Sequence, residues 1–357
     1  MMFPKQTKLI GILAVAPMFV GLLGNAFAGQ SKSSSVPAPA VKSESEVLKA
    51  LHDRMDWRLD VEAYKSAKPV PLPRPNPLGP MSSIDFAIDT SFLKEKLSAF
   101  SGATSIQIEG QEKRISERGS AKGRKLALDF LTQEYTNLGF SVSHQSYNNN
   151  RGTNFIAEKA GRDPSKVLVI SSHIDSVHNA GANDDGSGTI AALAVAKALS
   201  QYQFRYTLRV VGFDQEELGL VGSRNYLKLL DSKAREQIIG NIQMDMVSTN
   251  GKGDGAFHII DCDRSDSSFL SNKVAQAVSN LGLPLQRVAA CTNRSDHASF
   301  WNYGIPAIAV TENFFGGDED PCYHSQCDVV DARIKFDFQA NIAKAVASAA
   351  SEVLEIQ

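Results

Sequence analysis

Cysteine is scarce in this chain, and its absence from certain positions argues against two classes of protein. Only four cysteines occur among 357 residues, and the first of them is Cys262, so none is available near the N-terminus for the acylation of a lipoprotein. The four are nowhere spaced as a C-x-x-C pair, which argues against a zinc finger. They remain for disulfide bonds or as buried thiols.

Charge of one sign is not in excess either. The chain has 37 lysines and arginines against 39 acidic residues, a formal net charge of -2, so no basic surface for nucleic acid is expected. Hydrophobic residues make up 43%, enough for one large core. We expect no nucleic-acid partner, no stable membrane partner and a monomeric protein.

The N-terminus has the pattern of an export signal. Two lysines precede an apolar stretch at residues 9–23, and an Ala-x-Ala tripeptide ending at Ala28 fits a cleavage site. The alternative is a membrane anchor, because the stretch is about long enough to span a bilayer, but Pro17 disfavours it. We predict a signal peptide at residues 1–28 and a secreted or periplasmic protein.

Export places the cysteines in an oxidising compartment, where they can pair. Four cysteines allow three connectivities, and we favour Cys262–Cys291 and Cys322–Cys327. The second bond would close a tight loop around His324. Four buried free thiols are the alternative.

Composition divides the remaining chain in two. Residues 30–41 are rich in Ser, Pro, Ala and Lys and are expected to be disordered. Residues 44–57 have a helical pattern, and residues 68–80 are proline-rich. We predict a pro-segment or Pro-rich spacer at residues 29–81, whose removal should raise activity or at least not reduce it. Residues 82–357 form the predicted catalytic domain.

Predicted strands and helices alternate through this domain. Such alternation favours a mixed or mostly parallel α/β sheet with helices on both faces. The strands are predicted at 140–147, 154–159, 167–171, 206–213, 242–244, 256–260 and 306–311, and the helices at 121–137, 188–200, 223–230, 267–281 and 334–354.

Acidic and imidazole side chains follow three of the predicted strands where each strand ends. His173, the pair Glu216 and Glu217, and Asp245 occupy these positions. Ligands of open α/β sheets bind in the crevice outside the carboxyl ends of the strands. The sequence therefore predicts one crevice that collects these side chains.

The residue types in this crevice suit two metal ions. Catalytic zinc takes His, Asp or Glu ligands and keeps an open position. We predict that Asp184 bridges two zinc ions, with His173 and Asp245 on one ion and Glu217 and His324 on the other. Two Zn²⁺ ions, three carboxylates and a bridging hydroxide sum to zero charge, which a partly buried site favours.

Two further acids have predicted roles without binding metal. Asp175, two residues after His173, can accept from the second ring nitrogen of that imidazole and so orient it. Glu216 is the predicted general base. It would take a proton from the water that bridges the zinc ions and pass it to the leaving amine. Gly186 and Gly188 are expected to let the chain turn after Asp184.

The order of these motifs resembles the secreted di-zinc leucyl-type aminopeptidases of bacteria, a group of zinc-dependent exopeptidases. The resemblance covers residues 82–357 and implies a mixed eight-stranded sheet, two zinc ions per chain, release of single N-terminal residues from peptides, and synthesis as a zymogen with a leader. The matching stretches are 172–176, 181–188, 216–223, 243–246 and 295–300.

The sequence departs from the family in one place and suggests rival functions. Relatives often carry an oxyanion-binding tyrosine a few residues before the Ser-Asp-His stretch at 295–297, where Cys291 to Arg294 stand here, so no oxyanion residue is assigned.

A serine hydrolase lacks support because no G-x-S-x-G motif occurs. The alternatives on the same scaffold are a carboxypeptidase-like zinc hydrolase and a single-zinc glutaminyl cyclase. A zinc-binding module without catalysis is disfavoured by Glu216, which metal binding does not need.

Substrate preference follows from a pocket that is placed by analogy with the family. Its predicted apolar residues favour Leu, Met or Phe at the N-terminus of the substrate. Acidic neighbours, if they reach the pocket, would favour Lys or Arg instead. The apolar set is Met246, Ile259, Cys262, Phe314 and Phe315, and the acidic set is Asp263, Asp318, Glu319 and Asp320.

Overall fold

The computed structural model of this chain describes residues 68–76 and 83–356. The predicted signal peptide and the predicted helix at 44–57 lie outside the described residues. No described helix is long and apolar enough to cross a membrane.

One eight-stranded sheet organises the domain, in the order β3-β4-β6-β5-β7-β10-β8-β9. The central strands β6, β5, β7 and β10 are parallel, whereas β4 and β8 join them antiparallel on either side. The mixed, mostly parallel eight-stranded sheet is therefore confirmed. The strands are β3 Ser141–Tyr147, β4 Gly152–Lys159, β5 Asp163–His173, β6 Tyr206–Phe213, β7 Ile238–Met244, β8 Ala256–Ile260, β9 Gln286–Val288 and β10 Ala307–Glu312, and a separate hairpin pairs β1 Ile106–Ile108 with β2 Gln111–Lys113.

Helices cover both faces of this sheet, as expected. Alternate residues of a strand point to opposite faces, and along β5 the side chains of Leu168 and Ile170 join one buried cluster while Val167 and Val169 join another. Burial on both faces explains why this strand reads as a continuous apolar run. The helices are α1 Thr90–Phe100, α2 Ala121–Asn137, α3 Gly186–Leu199, α4 Val221–Leu229, α5 Ser232–Glu236, α6 Ser268–Asn280, α7 His297–Trp301 and α8 Phe336–Val353.

Some elements escaped the sequence analysis because they are short or weakly patterned. Strand β9 has three residues and α7 has five, too few for a period to appear. Helix α1 carried a usable signal, since Asp89 caps it by accepting a 2.8 Å hydrogen bond from the Ser91 N–H.

Both favoured disulfide bonds are present. Cys262 pairs with Cys291 across a Cα–Cα distance of 4.7 Å, and Cys322 pairs with Cys327 across 5.2 Å. The second bond encloses His324, as predicted.

Candidate metal centre

The predicted site residues meet at the carboxyl ends of three neighbouring parallel strands. His173 is the last residue of β5, Glu216 and Glu217 begin a short 3-10 helix just after β6, and Asp245 directly follows β7. Because β6, β5 and β7 are adjacent and parallel, their ends point into one crevice. The expected placement is observed.

Asp184 lies at the middle of this crevice, between two histidines. Its Oδ1 is 3.1 Å from His173 Nε2, and its Oδ2 is 3.1 Å from His324 Nε2. Each histidine also faces a second carboxylate, since His324 Nε2 is 3.0 Å from Glu217 Oε2 and His173 Nε2 is 3.7 Å from Asp245 Oδ1. Each oxygen of Asp184 thus belongs to its own histidine–carboxylate group.

The donor atoms of this cluster fit metal ions better than they fit one another. Glu217 Oε1 and Asp245 Oδ1 are buried and accept no hydrogen bond within the described part of the chain, which is costly for carboxylate oxygens. A bound cation would satisfy them. Imidazole nitrogen and carboxylate oxygen are the donor types that catalytic zinc takes.

The neighbouring Asp185 has a different task from Asp184. Its carboxylate accepts backbone N–H bonds from His173 at 3.1 Å, Gly188 at 2.8 Å and Met246 at 3.1 Å. It thereby ties the end of β5 to the start of α3 and the end of β7. Although Asp185 lies within reach of His173 and Asp245, its oxygens are already engaged, so Asp184 is the better ligand.

The glycine at 188 is needed for close packing and not for a turn. A Cβ atom at Gly188 would collide with the carbonyl oxygen of Met244 and with the carboxylate of Asp185. Helix α3 therefore begins directly against the end of β7, a contact that only glycine allows.

Asp328 fixes the backbone that carries Asp184. Its two carboxylate oxygens accept the N–H of Asn183 at 2.8 Å and the N–H of Asp184 at 3.1 Å. Nothing in the sequence analysis singled out Asp328, and its role depends on a contact across more than 140 positions of the chain.

Asp175 contacts more than the imidazole that it was predicted to orient. Its Oδ1 lies 3.4 Å from His173 Nδ1, near enough for an ion pair but without a hydrogen bond, so the orienting role stays a prediction. The same carboxylate accepts the N–H of Glu216 at 3.0 Å and that of Glu217 at 3.2 Å. One buried acid thus fixes His173 and the two glutamates relative to each other.

A cavity opens beside the cluster, and one side of it is apolar. Strand alternation places Ile260 in the cavity and turns Ile259 into the core on the other face, so the predicted Ile259 is not part of the lining. The predicted Cys262 is likewise absent from the lining among the described residues. The apolar lining consists of Met246, Ile260, Ala309, Phe314 and Phe315.

The acidic run at 318–320 does not line this cavity. Asp318 and Glu319 border a separate depression with Lys335, and Asp320 is buried, where it accepts a 2.6 Å bond from Arg333. Asp263 is likewise absent from the cavity lining among the described residues. None of the four acids that were considered as a reason for a preference for Lys or Arg therefore lines this cavity.

The family of the chain follows from a profile match. Residues 154–350, more than half of the chain, match Peptidase family M28. The chain belongs to peptidase family M28. The match begins within β4 and ends within α8, and hence contains every residue of the cluster described above.

Individual M28-type relatives match over part of their length. Leupeptin-inactivating enzyme 1 of Streptomyces exfoliatus is 34% identical over 226 residues, 58% of this chain and 50% of that protein. The solved zinc aminopeptidase BSAP from Bacillus subtilis is 26% identical with a TM-score of 0.53, covering 57% and 50% of the two chains. The chain spans about half the length of the curated relatives it matches.

The fold likeness extends further than the sequence likeness. The LapA aminopeptidase of Legionella pneumophila aligns with a TM-score of 0.64 over 88% of this chain and 75% of its own, at 19% identity. At that identity the comparison shows the fold alone.

Tyr323 is a cavity residue of this M28 peptidase that sequence reasoning missed. Its ring stacks on His324 with centroids 3.8 Å apart, and its hydroxyl accepts a 3.3 Å bond from the Arg294 guanidinium. Burial raises the pKa of this phenol well above its usual value, so the hydroxyl stays protonated. Its position next to His324 in the sequence was the available signal.

The carboxylates of the cluster change the titration of its histidines. Burial lowers the pKa of His324, but the charges and hydrogen bonds of Glu217 and Asp184 more than offset this and raise it to about 11. His173 is affected in the same way: burial opposes, and its carboxylate neighbours raise its pKa well above the usual value. Burial also raises the pKa of Glu216 well above its usual value.

Proposed function

We propose that this protein is a secreted, monomeric, zinc-dependent aminopeptidase that removes the N-terminal residue of peptides with a free amine. The observation that carries the proposal is Asp184, with one histidine–carboxylate group on each of its two oxygens. Membership of a peptidase family and the likeness to a zinc aminopeptidase support it.

Two zinc ions would be held by five residues in this arrangement. His173 and Asp245 would bind one ion, Glu217 and His324 the other, and Asp184 both. Ions bound there supply Lewis-acid polarisation of the peptide carbonyl and a lowered pKa of water.

Glu216 has the position and environment of a general base. It lines the cavity next to Glu217, yet it is absent from both sets of candidate metal ligands found among the described residues. Its carboxylate would take a proton from the attacking water and deliver it to the leaving amine. Asp175 holds its backbone N–H and so positions it.

Tyr323 can supply a neutral hydrogen-bond donor in the cavity, where its ring stacks on His324. Because its hydroxyl stays protonated, it can donate to the substrate carbonyl oxygen as negative charge develops there. This assigns to Tyr323 the oxyanion role that the sequence left open.

The test of this function compares substrates that differ only at the amine. Leucyl amide with a free amine should be hydrolysed, N-acetyl-leucyl amide should not, and chelation should abolish the reaction while added zinc restores it. A carboxypeptidase-like enzyme would instead need a free carboxylate on its substrate. A glutaminyl cyclase would cyclise glutaminyl peptides and bind one zinc ion per chain. Either result, or activity that survives chelation, would overturn the proposal.

The apolar side of the cavity should set the preference for the released residue. We expect leucyl amide to be cleaved with a higher kcat/KM than lysyl amide, because each buried methylene contributes about 0.8 kcal/mol and no acid of the 318–320 run lines the cavity. The matched control is the double variant D318N/E319Q, which should leave the ratio unchanged. A lysyl preference that this variant removes would contradict the assignment.

Zinc binding should release protons, because neighbouring carboxylates raise the pKa of both histidines in the metal-free protein and a protonated imidazole cannot ligate a metal. We expect at least two protons released per chain on zinc binding at pH 7, one from each imidazole, and a further one where the bridging water ionises. The raised pKa values of His173 and His324 mean that affinity falls steadily as pH falls through the neutral range. Calorimetry in buffers of different ionisation enthalpy measures the proton count; no release, or an activity optimum near pH 4, would contradict this.

A pro-segment at residues 29–81 stays part of the proposal, as does the signal peptide at residues 1–28. The two disulfide bonds fit an oxidising compartment. Of this predicted pro-segment the structure describes residues 68–76, and these have a definite place on the domain.

A further inference from the structure

Strand β9 is the outermost strand of the main sheet, and it is very short. It consists of Gln286–Val288, and among the strands of the described residues it pairs only with β8. A three-residue edge strand with one partner exposes unpaired backbone groups on its outer side and is marginal by itself.

Residues 68–76, which we call the strap, cover this outer side. Val70 donates its N–H to the Arg287 carbonyl at 2.8 Å, and the Lys68 carbonyl accepts the Ala289 N–H at 3.3 Å. Pro69 lies opposite Val288 in an antiparallel bridge. The first residues of the strap therefore form an isolated antiparallel bridge on the outer edge of β9, with Pro69 at a position that needs no N–H.

The second half of the strap is bound to helix α6. Ser279 Oγ donates to the Pro73 carbonyl at 2.5 Å, Gln276 Nε2 donates to the Arg74 carbonyl at 3.0 Å, and the Asn76 N–H donates to Asn280 Oδ1 at 2.8 Å. The side chain of Leu72 also packs against the main core. Because its hydrogen bonds are distributed along residues 68–76, the strap is a segment docked on the domain and not a linker without contacts.

The strap contacts Ala289, the first residue of a segment that lines part of the cavity. Residues 289–294, which we call the cavity wall, follow β9 without regular structure, and Thr292 and Arg294 line the cavity. The wall is held by the disulfide bond of Cys291, by a 3.0 Å contact of His297 Nε2 with the Thr292 carbonyl, and at its first residue by the strap.

We propose that the strap belongs to the functional catalytic domain and that it stabilises the cavity wall by binding the outer edge of β9. The functional domain then begins at Lys68 and not at residue 82, and processing of the chain must leave the strap in place. This divides the predicted pro-segment: loss of residues before 68 and loss of the strap should have opposite effects on activity.

The repeated Pro-x-Pro context of the strap offers a matched pair of variants. Val70 stands between Pro69 and Pro71, and Arg74 stands between Pro73 and Pro75. V70P removes the N–H that bonds Arg287, whereas the Arg74 N–H donates to no group within the described residues, so R74P is the control. V70A separates the loss of the side chain from the loss of the N–H.

The measurement is hydrogen exchange of the full chain, together with kcat/KM for leucyl amide. V70P should speed exchange at Ala289 and along the wall by roughly two- to tenfold, the weight of one backbone hydrogen bond, and should lower kcat/KM, while R74P and V70A leave both near wild type. Should V70P fold poorly, Q276A, which removes the hydrogen bond from α6 to the Arg74 carbonyl, takes its place.

Three results would overturn this inference. They are unchanged wall exchange in both V70P and Q276A, an equal effect of R74P, and a secreted protein that mass spectrometry shows to lack the strap while it is fully active. The kinetic part rests on the proposed aminopeptidase function, but the exchange part does not. A chain without activity on amides therefore still tests whether the strap stabilises the cavity wall.

Discussion

The E216Q variant is expected to keep two zinc ions and lose almost all turnover. Glutamine has the same size as glutamate but cannot accept the proton of the attacking water, so kcat should fall by roughly 10²–10⁴-fold. KM should change little, because Glu216 contributes to neither metal group around Asp184. Zinc content by mass spectrometry and steady-state kinetics on the same sample measure both effects.

The neighbouring E217Q variant is the matched control for this experiment. Glu217 Oε2 lies 3.0 Å from His324 Nε2, so its loss should weaken the binding of one ion. If E216Q loses zinc and E217Q keeps two ions, the roles of the two glutamates are reversed and the assignment is wrong.

The D184N variant should have the largest effect on metal content. Both oxygens of Asp184 face histidine–carboxylate groups, and an amide supplies one weak oxygen donor in place of two charged ones. We expect loss of both ions on dialysis against zinc-free buffer and activity below detection. The fold should persist, because the N–H of residue 184 still bonds Asp328.

Restoration by metal distinguishes D184N from a variant that merely loses a general base. Millimolar zinc should restore part of the activity of D184N and none of that of E216Q. Two tightly bound ions in D184N would show that Asp184 does not bridge, and would direct attention to Asp185, the other acid of the pair.

Much of the fold was predictable because it depends on local pattern. Helix α2 and strands β6 and β8 have the predicted bounds, since their hydrophobic periods continue to a clear end. Strand β9 and the strap were not predictable as a pair. A three-residue strand has no period, and prolines in the strap suggest a linker until the edge that it covers is known.

The sequence by itself determined the acidic and imidazole residues of the crevice, their order along the chain and the strand ends that carry them, because residue type and periodicity are local properties. It also favoured the two disulfide bonds that are present. It left open which of Asp184 and Asp185 is engaged by backbone N–H groups. It likewise did not reveal that Asp328 and Tyr323 belong to the site, or that the acids at 318–320 face away from the cavity. Only the tertiary structure decided these points, because each depends on contacts between segments that are distant in the chain.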